Sequence, residues 1–280
     1  MGILDRAISV FRPDSSSAAA APRGLSRAEV EERLAAGGER SLAGLDLTGA
    51  DLSAVDLEGA DLTGTRLRDV NLTRANLRGA NLTMAQLCNA NLTGAVLENA
   101  TLRDVNCVRT GALAPPMLEE ANLAGADLTG AELSRAILRN ANLTGAVLDE
   151  AGLGKADLRG VHAGGASFRG ANLRHARLDD GVFSGASFDE ADLSRAVCRG
   201  ANLSGASLVR ANLAEAVLEG ADLSSANLRE AQMDGVVVRG ASLRGASFIG
   251  ADLDGLTLDG ADVQGADFAG SHNYRAPATT

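Results

Sequence analysis

Ala50-Asp51-Leu52-Ser53-Ala54-Val55-Asp56-Leu57-Glu58-Gly59-Ala60-Asp61-Leu62 contains a unit that recurs every five residues from Leu42 to Phe268. A small apolar residue is followed by Asp or Asn, then Leu, then two variable positions. The Leu position is called the centre below. A fixed internal period is read before anything else, because it dictates the architecture. Five residues advance an α-helix by about 500°, so successive centres would scatter around the axis without forming a stripe. On a straight strand an odd period sends successive centres to opposite faces. The centres stay on one inner face only if the chain turns once per repeat. Four turns of roughly 90° close a square, which predicts an all-β quadrilateral solenoid with twenty residues per coil, coils stacking about 4.8 Å apart.

Residues twenty apart must then be neighbours. The position after the centre, at every fourth repeat, reads Arg159, Asp179, Arg199, Glu219, Arg239, Asp259. Charge alternates throughout, and an opposite-charge ladder is expected, each contact worth about 0–1 kcal/mol when exposed. Phe168, Phe188, Phe248 and Phe268 are centres on one side of the square and should stack up the core.

The 280 residues carry a formal net charge of −10, and aromatics make up only 2%. A narrow core of Leu and Ala suits that composition, and one elongated domain is expected instead of two compact ones. A pI near 4.8 argues against direct nucleic-acid binding, which needs a basic face. No run approaches the ~18 apolar residues of a transmembrane segment. The three cysteines lack a pairing pattern, so no disulfide framework is expected and a reducing, cytoplasmic setting is inferred. Cys107 and Cys198, both centres, read as small buried hydrophobes.

In chain order, residues 1–12 form a short amphipathic peptide. Ile3, Leu4, Ile8 and Phe11 could line one side of it and dock on a protein or a membrane surface. Asp5 and Arg6 interrupt any signal-peptide core, and Arg6 departs from the myristoylation pattern. Residues 13–24 are a Ser-, Ala- and Pro-bearing linker. Residues 25–38 read as a capping helix: Ser26 and Glu29 form a capping box, Leu25 and Val30 a hydrophobic staple, and Gly37-Gly38 a stop. A helix there would cover the open edge and exposed Leu core of the first coil. The first solenoid block, 41–107, has thirteen Leu centres and one Cys. Residues 108–117 are a register slip, read as two repeats plus one extra residue, or a short loop. Arg109, Pro115 and Pro116 there are candidates for partner recognition. The second block, 118–270, runs from Leu118, and a polar tail, 271–280, is expected to be disordered. The whole gives about eleven coils.

These residues resemble the pentapeptide-repeat family, whose motif is Ala-(Asp/Asn)-Leu-X-X; the match spans about four-fifths of the chain. The resemblance implies a right-handed quadrilateral β-helix and, as a rule, no catalysis. Well-understood members are acidic, DNA-like dimeric rods that bind DNA gyrase and protect it from quinolones or toxins. Others are scaffolds. This chain shows no C-terminal helix of the kind used for dimerisation, and its second block mixes Arg among the acids.

No catalytic constellation is evident, and no cofactor is expected. His162, His175 and His272 lack metal-ligand spacing. The outer surface is more informative. Sorting the second block into four sides gives twelve, three, ten and ten charged residues. The pale side bears only Asp222, Arg244 and Asp262, and presents Thr144, Ser184, Ser204 and Ser224 among Asn and Gly. It is a candidate face for packing against a protein or another rod. The ends are acidic, with Asp46, Asp51, Asp56, Glu58 and Asp61 at one and Asp252, Asp254, Asp259, Asp262 and Asp267 at the other. Asp before the centre is the repeat's own consensus, and that reading is preferred over phosphate mimicry. Two functions follow as expectations: a non-catalytic scaffold or adaptor for a protein partner, or a DNA-mimicking modulator of a type II topoisomerase. The last coil around Phe268 should be poorly covered and favour a homodimer.

Overall fold

Successive coils pair through parallel bridges between residues twenty apart, from Ser41↔Asp61 through Asp252↔His272, in a computed structural model that describes residues 24–36, 40–107 and 114–273. Each bridge joins the residues just before two centres. The centre's N–H then donates to the next coil, as Leu52 does to Asn71 O at 2.7 Å. The repeat is therefore a β-helix in which a single bridge per repeat replaces a long strand, and all the pairing is non-local along the chain.

The corner between repeats is a four-residue turn. Its closing bond runs from the residue three beyond the centre back to the centre's carbonyl, as Ala50 N–H to Leu47 O at 3.0 Å. Wherever it is described, the second residue after a centre has positive φ, for example 72° at Gly49 and 58° at Glu215. That is the geometry in which glycine costs least. Asp or Asn before the centre closes the same corner from outside. Asp61 Oδ1 accepts Thr63 N–H at 3.0 Å and Thr63 Oγ1 at 2.6 Å. The consensus Asp/Asn is thus a turn-forming residue that satisfies a backbone donor.

Inside, Leu and Ala make one continuous core. Leu42 to Leu102 and Leu118 to Leu158 are essentially inaccessible at every centre. Phe168 and Phe188 stack at 4.8 Å with planes 5° apart, and Phe248 and Phe268 do so at 4.9 Å and 5°. Phe183, from the adjoining column, meets the first pair edge-on at 6.0 and 5.5 Å. The expected aromatic column is present as two pairs, with Leu208 and Leu228 between them.

Helix α1, Arg27–Ala35, covers the first coil. Its capping box forms as read, with Ser26 N–H donating to Glu29 Oε2 at 2.7 Å. Val30 is fully buried in the solenoid core, with Leu25 and Leu34 packed at its edge. The coil's outward carbonyls are also met: Leu25 N–H reaches Asp46 O at 2.8 Å, Arg27 Nη1 reaches Ser53 O at 2.7 Å and Arg40 Nη2 reaches Asp56 O at 2.8 Å. Gly24 lies so close to Thr48 that a Cβ there would sit 2.5 Å from its amide nitrogen. The helix is shorter than the 25–38 segment, and Gly37-Gly38 fall outside the described residues. At the other end Leu256, Leu258, Val263 and Phe268 are only partly buried, unlike the centres below them.

The register slip differs from the sequence expectation. Asn91 pairs with Met117, Val96 with Asn122 and Thr101 with Asp127, each 26 residues on. One coil is therefore six residues longer than the rest. The eleven-residue step from Cys107 to Leu118 is one repeat plus a six-residue insertion, not two repeats plus one. A count of the gap leaves both readings open; the bridges decide between them. Pro116 occupies the inward slot usually filled by Ala and is buried, its carbonyl accepting Ile137 N–H at 3.1 Å. It joins the solenoid and is not displayed to a partner; Pro115 is half-buried.

Cysteine pairing is a second correction. Cys88 and Cys107 form a disulfide, with Cα atoms 4.6 Å apart. Their sequence separation of nineteen means little in a globular chain, but here it is one coil less one residue, which makes them neighbours. Cys107 is half-buried and bonded, so it is not a simple apolar filler. Cys198 is buried as expected, and burial, helped by nearby Asp179, pushes its thiol up to about 12. The support that unpaired cysteines lent to a reducing compartment falls away.

Candidate interaction surfaces

Because coils stack in register, each outward position becomes a column along the rod. The ladder column forms in its middle. Asp179 Oδ1 lies 3.7 Å from Arg199 Nη1, Arg199 Nε 3.7 Å from Glu219 and Arg239 Nη2 2.8 Å from Glu219. Its ends depart from expectation. Arg159 turns back to Asp157 at 2.5 Å, within its own repeat, instead of reaching Asp179. The hydrogen bond from Arg159 holds the Asp157 carboxyl below its ordinary range against burial, and the same bond raises the guanidinium. Arg177 approaches Asp179 at 3.5 Å instead. Asp259 has no ion pair among the described residues. A neighbour two residues away competes with one a coil away, and the sequence alternation does not weigh the two.

The pale column is continuous. Bridges run Asn122↔Asn142↔His162↔Val182↔Asn202↔Asp222↔Ser242↔Asp262. Its hydroxyls are largely turned to local use: Thr144 Oγ1 donates to Asn142 at 2.7 Å, Ser204 Oγ to Asn202 at 2.7 Å and Ser224 Oγ to Asp222 at 2.6 Å. Thr144 is exposed, and Ser184, Ser204 and Ser224 are half-buried. What remains outward is small, flat and nearly uncharged from Asn122 to Ser204. Below it, Val96 bridges to Asn122, and the first block restores charge through the Arg78–Glu98 pair at 2.8 Å. Above it, Arg244 and Asp262 close the face with a pair at 2.6 Å.

The acidic ends are partly neutralised. Asp46 lies 3.6 Å from Arg66 and Asp56 3.6 Å from Arg40. Hydrogen bonds from Thr48 and Thr63 lower the carboxyls of Asp46 and Asp61. Asp254 and Asp259 remain without ion pairs among the described residues. Ile3, Leu4, Ile8, Phe11 and Arg109 lie outside the described residues. The described residues hold no cluster of His, Cys, Asp or Glu arranged for a metal, and no described helix is long and apolar enough to cross a membrane.

Sequence reading missed two devices. At two of the positions where Ser replaces Asp/Asn before the centre, Ser167 and Ser207, an acid one coil below supplies the turn acceptor. Asp149 Oδ1 takes Arg169 N–H at 3.2 Å and the Ser167 hydroxyl; Asp189 Oδ1 takes Val209 N–H at 3.1 Å and the Ser207 hydroxyl. The signal was available: Asp149 and Asp189 stand eighteen residues before those serines. The other is Cys88, which escaped notice because it sits outside the centre series.

The stacked five-residue corners, inward centres and column surfaces define a β-helix built from pentapeptide units. Two family descriptions, both pentapeptide repeats, match it: one of eight copies over residues 46–83, 80–110, 118–154, 191–229 and 231–270, one of nine copies over 163–207. The chain belongs to the pentapeptide-repeat family. Among solved structures it is similar to HetL of the cyanobacterium Nostoc sp. strain PCC 7120, a protein involved in heterocyst differentiation regulation. Identity is 31%, covering 88% of this chain and 96% of that one, with a TM-score of 0.32. It is also similar to QnrB1, a plasmid-mediated fluoroquinolone resistance protein, at 17% identity over 80% and 90% of the chains, TM-score 0.32. A pentapeptide-repeat protein of the Arabidopsis thaliana thylakoid lumen matches at 28% over 43% and 67%, TM-score 0.22. No curated protein sequence matches.

Proposed function

We propose that this chain is a non-catalytic protein-interaction scaffold whose working surface is the pale column from Asn122 to Ser204. The observation that carries it is the contrast between this column and its neighbours: bridged, hydrogen-bonded within itself and without charge over its central coils. Such a face can be covered without desolvating an ion, the usual cost at an interface core. The supporting frame is a rod of quadrilateral section with about eleven coils, roughly 50 Å long at the ~4.8 Å coil spacing. Residues 1–12, on their linker, serve as a separate docking peptide, and the thinly covered last coil favours a homodimer. The protein acts in the cytoplasm, with a protein partner and no cofactor.

The competing reading is a DNA-like rod acting on a type II topoisomerase. It needs a run of uncompensated acids. Pairing of Asp179, Glu219 and Glu230 with arginines one coil away works against it. A supercoiling assay separates the two. The scaffold reading expects no inhibition and no drug protection of gyrase at micromolar protein. Inhibition there would replace it with the DNA-mimic reading.

A further inference from the structure

The six-residue insertion is fastened at both ends to one dipeptide of the coil below. Cys88 holds Cys107, the last residue before it, through the disulfide. Asn89 N–H donates to Ala114 O, just after it, at 3.0 Å. In the uninterrupted coil below, the equivalent donor, Asp69 N–H, meets Cys88 O at 3.1 Å. Ala114 therefore stands where the residue after Cys107 belongs, and residues 108–113 are the extra six.

The contact on the other side of Cys107 is thin. Glu132 N–H reaches Val105 O at 2.8 Å, yet no bridge pairs Asn106 with Glu132 among the described residues. Elsewhere along the rod such bridges recur at every repeat. The covalent link joins Cys107 to the coil below, where the Gln86↔Asn106 bridge is intact, while the bridged stacking is interrupted on its other side. Cys88 is 3% exposed, whereas Cys107 is only half-buried. Cys107 is therefore the more accessible of the two residues to an incoming thiolate. Cys198 is buried in the core and far along the chain, so it does not compete as an attacking thiol.

We propose that Cys88–Cys107 is a reversible thiol–disulfide exchange site for small soluble thiols, and that its state sets how firmly the coil break is held. A thiolate RS⁻ attacks Cys107 Sγ, forms a Cys107–SR mixed disulfide and expels the Cys88 thiolate, which takes up a proton. A second RS⁻ attacks the R-bearing sulfur and releases RSSR and the Cys107 thiolate, which is protonated in turn. Two electrons and two protons pass from two RSH to the protein.

The full-length native chain is equilibrated at set ratios of reduced to oxidised glutathione, then alkylated with N-ethylmaleimide and mapped by mass. The expected result is a single transition from no label to label at both Cys88 and Cys107, reversed when the ratio is restored, with Cys198 unlabelled. Amide exchange at Asn89 and Asn106 should become about tenfold faster on reduction, while Leu52 and Leu218 stay unchanged. Cys88→Ser should show the fast rate under both conditions. Labelling of both cysteines in oxidising buffer would overturn the bond. Reduction only after denaturation would overturn the exchange, and equal amide rates in both states would overturn the fastening role.

Discussion

Replacing Phe188 by Ala tests the stacked core most sharply. Phe188 is fully buried, lies 4.8 Å above Phe168 in near-parallel planes and meets Phe183 edge-on at 5.5 Å. Truncating a buried Phe costs about 3–5 kcal/mol through lost transfer energy and the cavity left behind. Two aromatic contacts put this site toward the top of that range, at about 4–5 kcal/mol. Leu148 and Leu208 occupy the same column, so Phe188→Leu fits the slot and should cost only about 1–2 kcal/mol. Long repeat arrays do not unfold in one step, and a single melting temperature would blur the effect. Native-state amide exchange reads it coil by coil. The amides of Phe168, Phe188 and Cys198 should exchange about a thousandfold faster in Phe188→Ala, as 1.4 kcal/mol per decade requires. Those of Leu52 to Leu97 should change by less than about tenfold, because repeats couple mainly to their neighbours. An effect below about 1 kcal/mol, or equal acceleration along the whole rod, would refute a locally stacked core.

Other expectations follow from the same geometry. Asp61→Ala should cost about 1 kcal/mol, read as about fivefold faster native-state amide exchange in its own coil, by leaving Thr63 N–H without its acceptor, while Asp61→Asn is nearly neutral. Arg199→Ala should cost about 1 kcal/mol, and the difference should shrink in 1 M salt, since Arg199 is half exposed and Asp179, though largely buried, keeps Arg177 at 3.5 Å. The carboxyls of Asp46, Asp61 and Asp157 titrate lower in the folded chain than in the unfolded one. Their contribution is complete above the ordinary carboxylate range, about pH 4, and is lost as pH falls through the lowered values. Denaturant midpoints should hold steady from pH 7 to about pH 5 and fall below about pH 4. A midpoint that rises on acidification would contradict the assigned hydrogen bonds.

Much of this was legible from the five-residue period. The centres, the inward Ala positions, the stacked Phe pairs and the pale column all depend on spacing alone, which the solenoid preserves, and the capping box on the local pairing of Ser26 with Glu29. What escaped depends on alternatives of similar energy or on geometry outside the period. The gap from Cys107 to Leu118 fits two decompositions, and only backbone pairing distinguishes six extra residues from one. Arg159 had two acids in reach, and the one in its own repeat holds it. Cys88 and Cys107 looked unrelated until a coil length was subtracted. Asp149 and Asp189 looked like ordinary surface acids, yet each carries a turn for the coil above.

The scaffold reading stands or falls on the pale column. Affinity capture from the source cells should be run with the full chain, with Ser184→Arg plus Ser204→Glu, and with a matched charge at Ala214 on another column. All three should keep the same circular dichroism spectrum, since these positions face outward. A partner retained by the native chain and by the Ala214 variant, and lost only from the Ser184/Ser204 variant, is the predicted result. Identical partners on all three would contradict the assignment of this face.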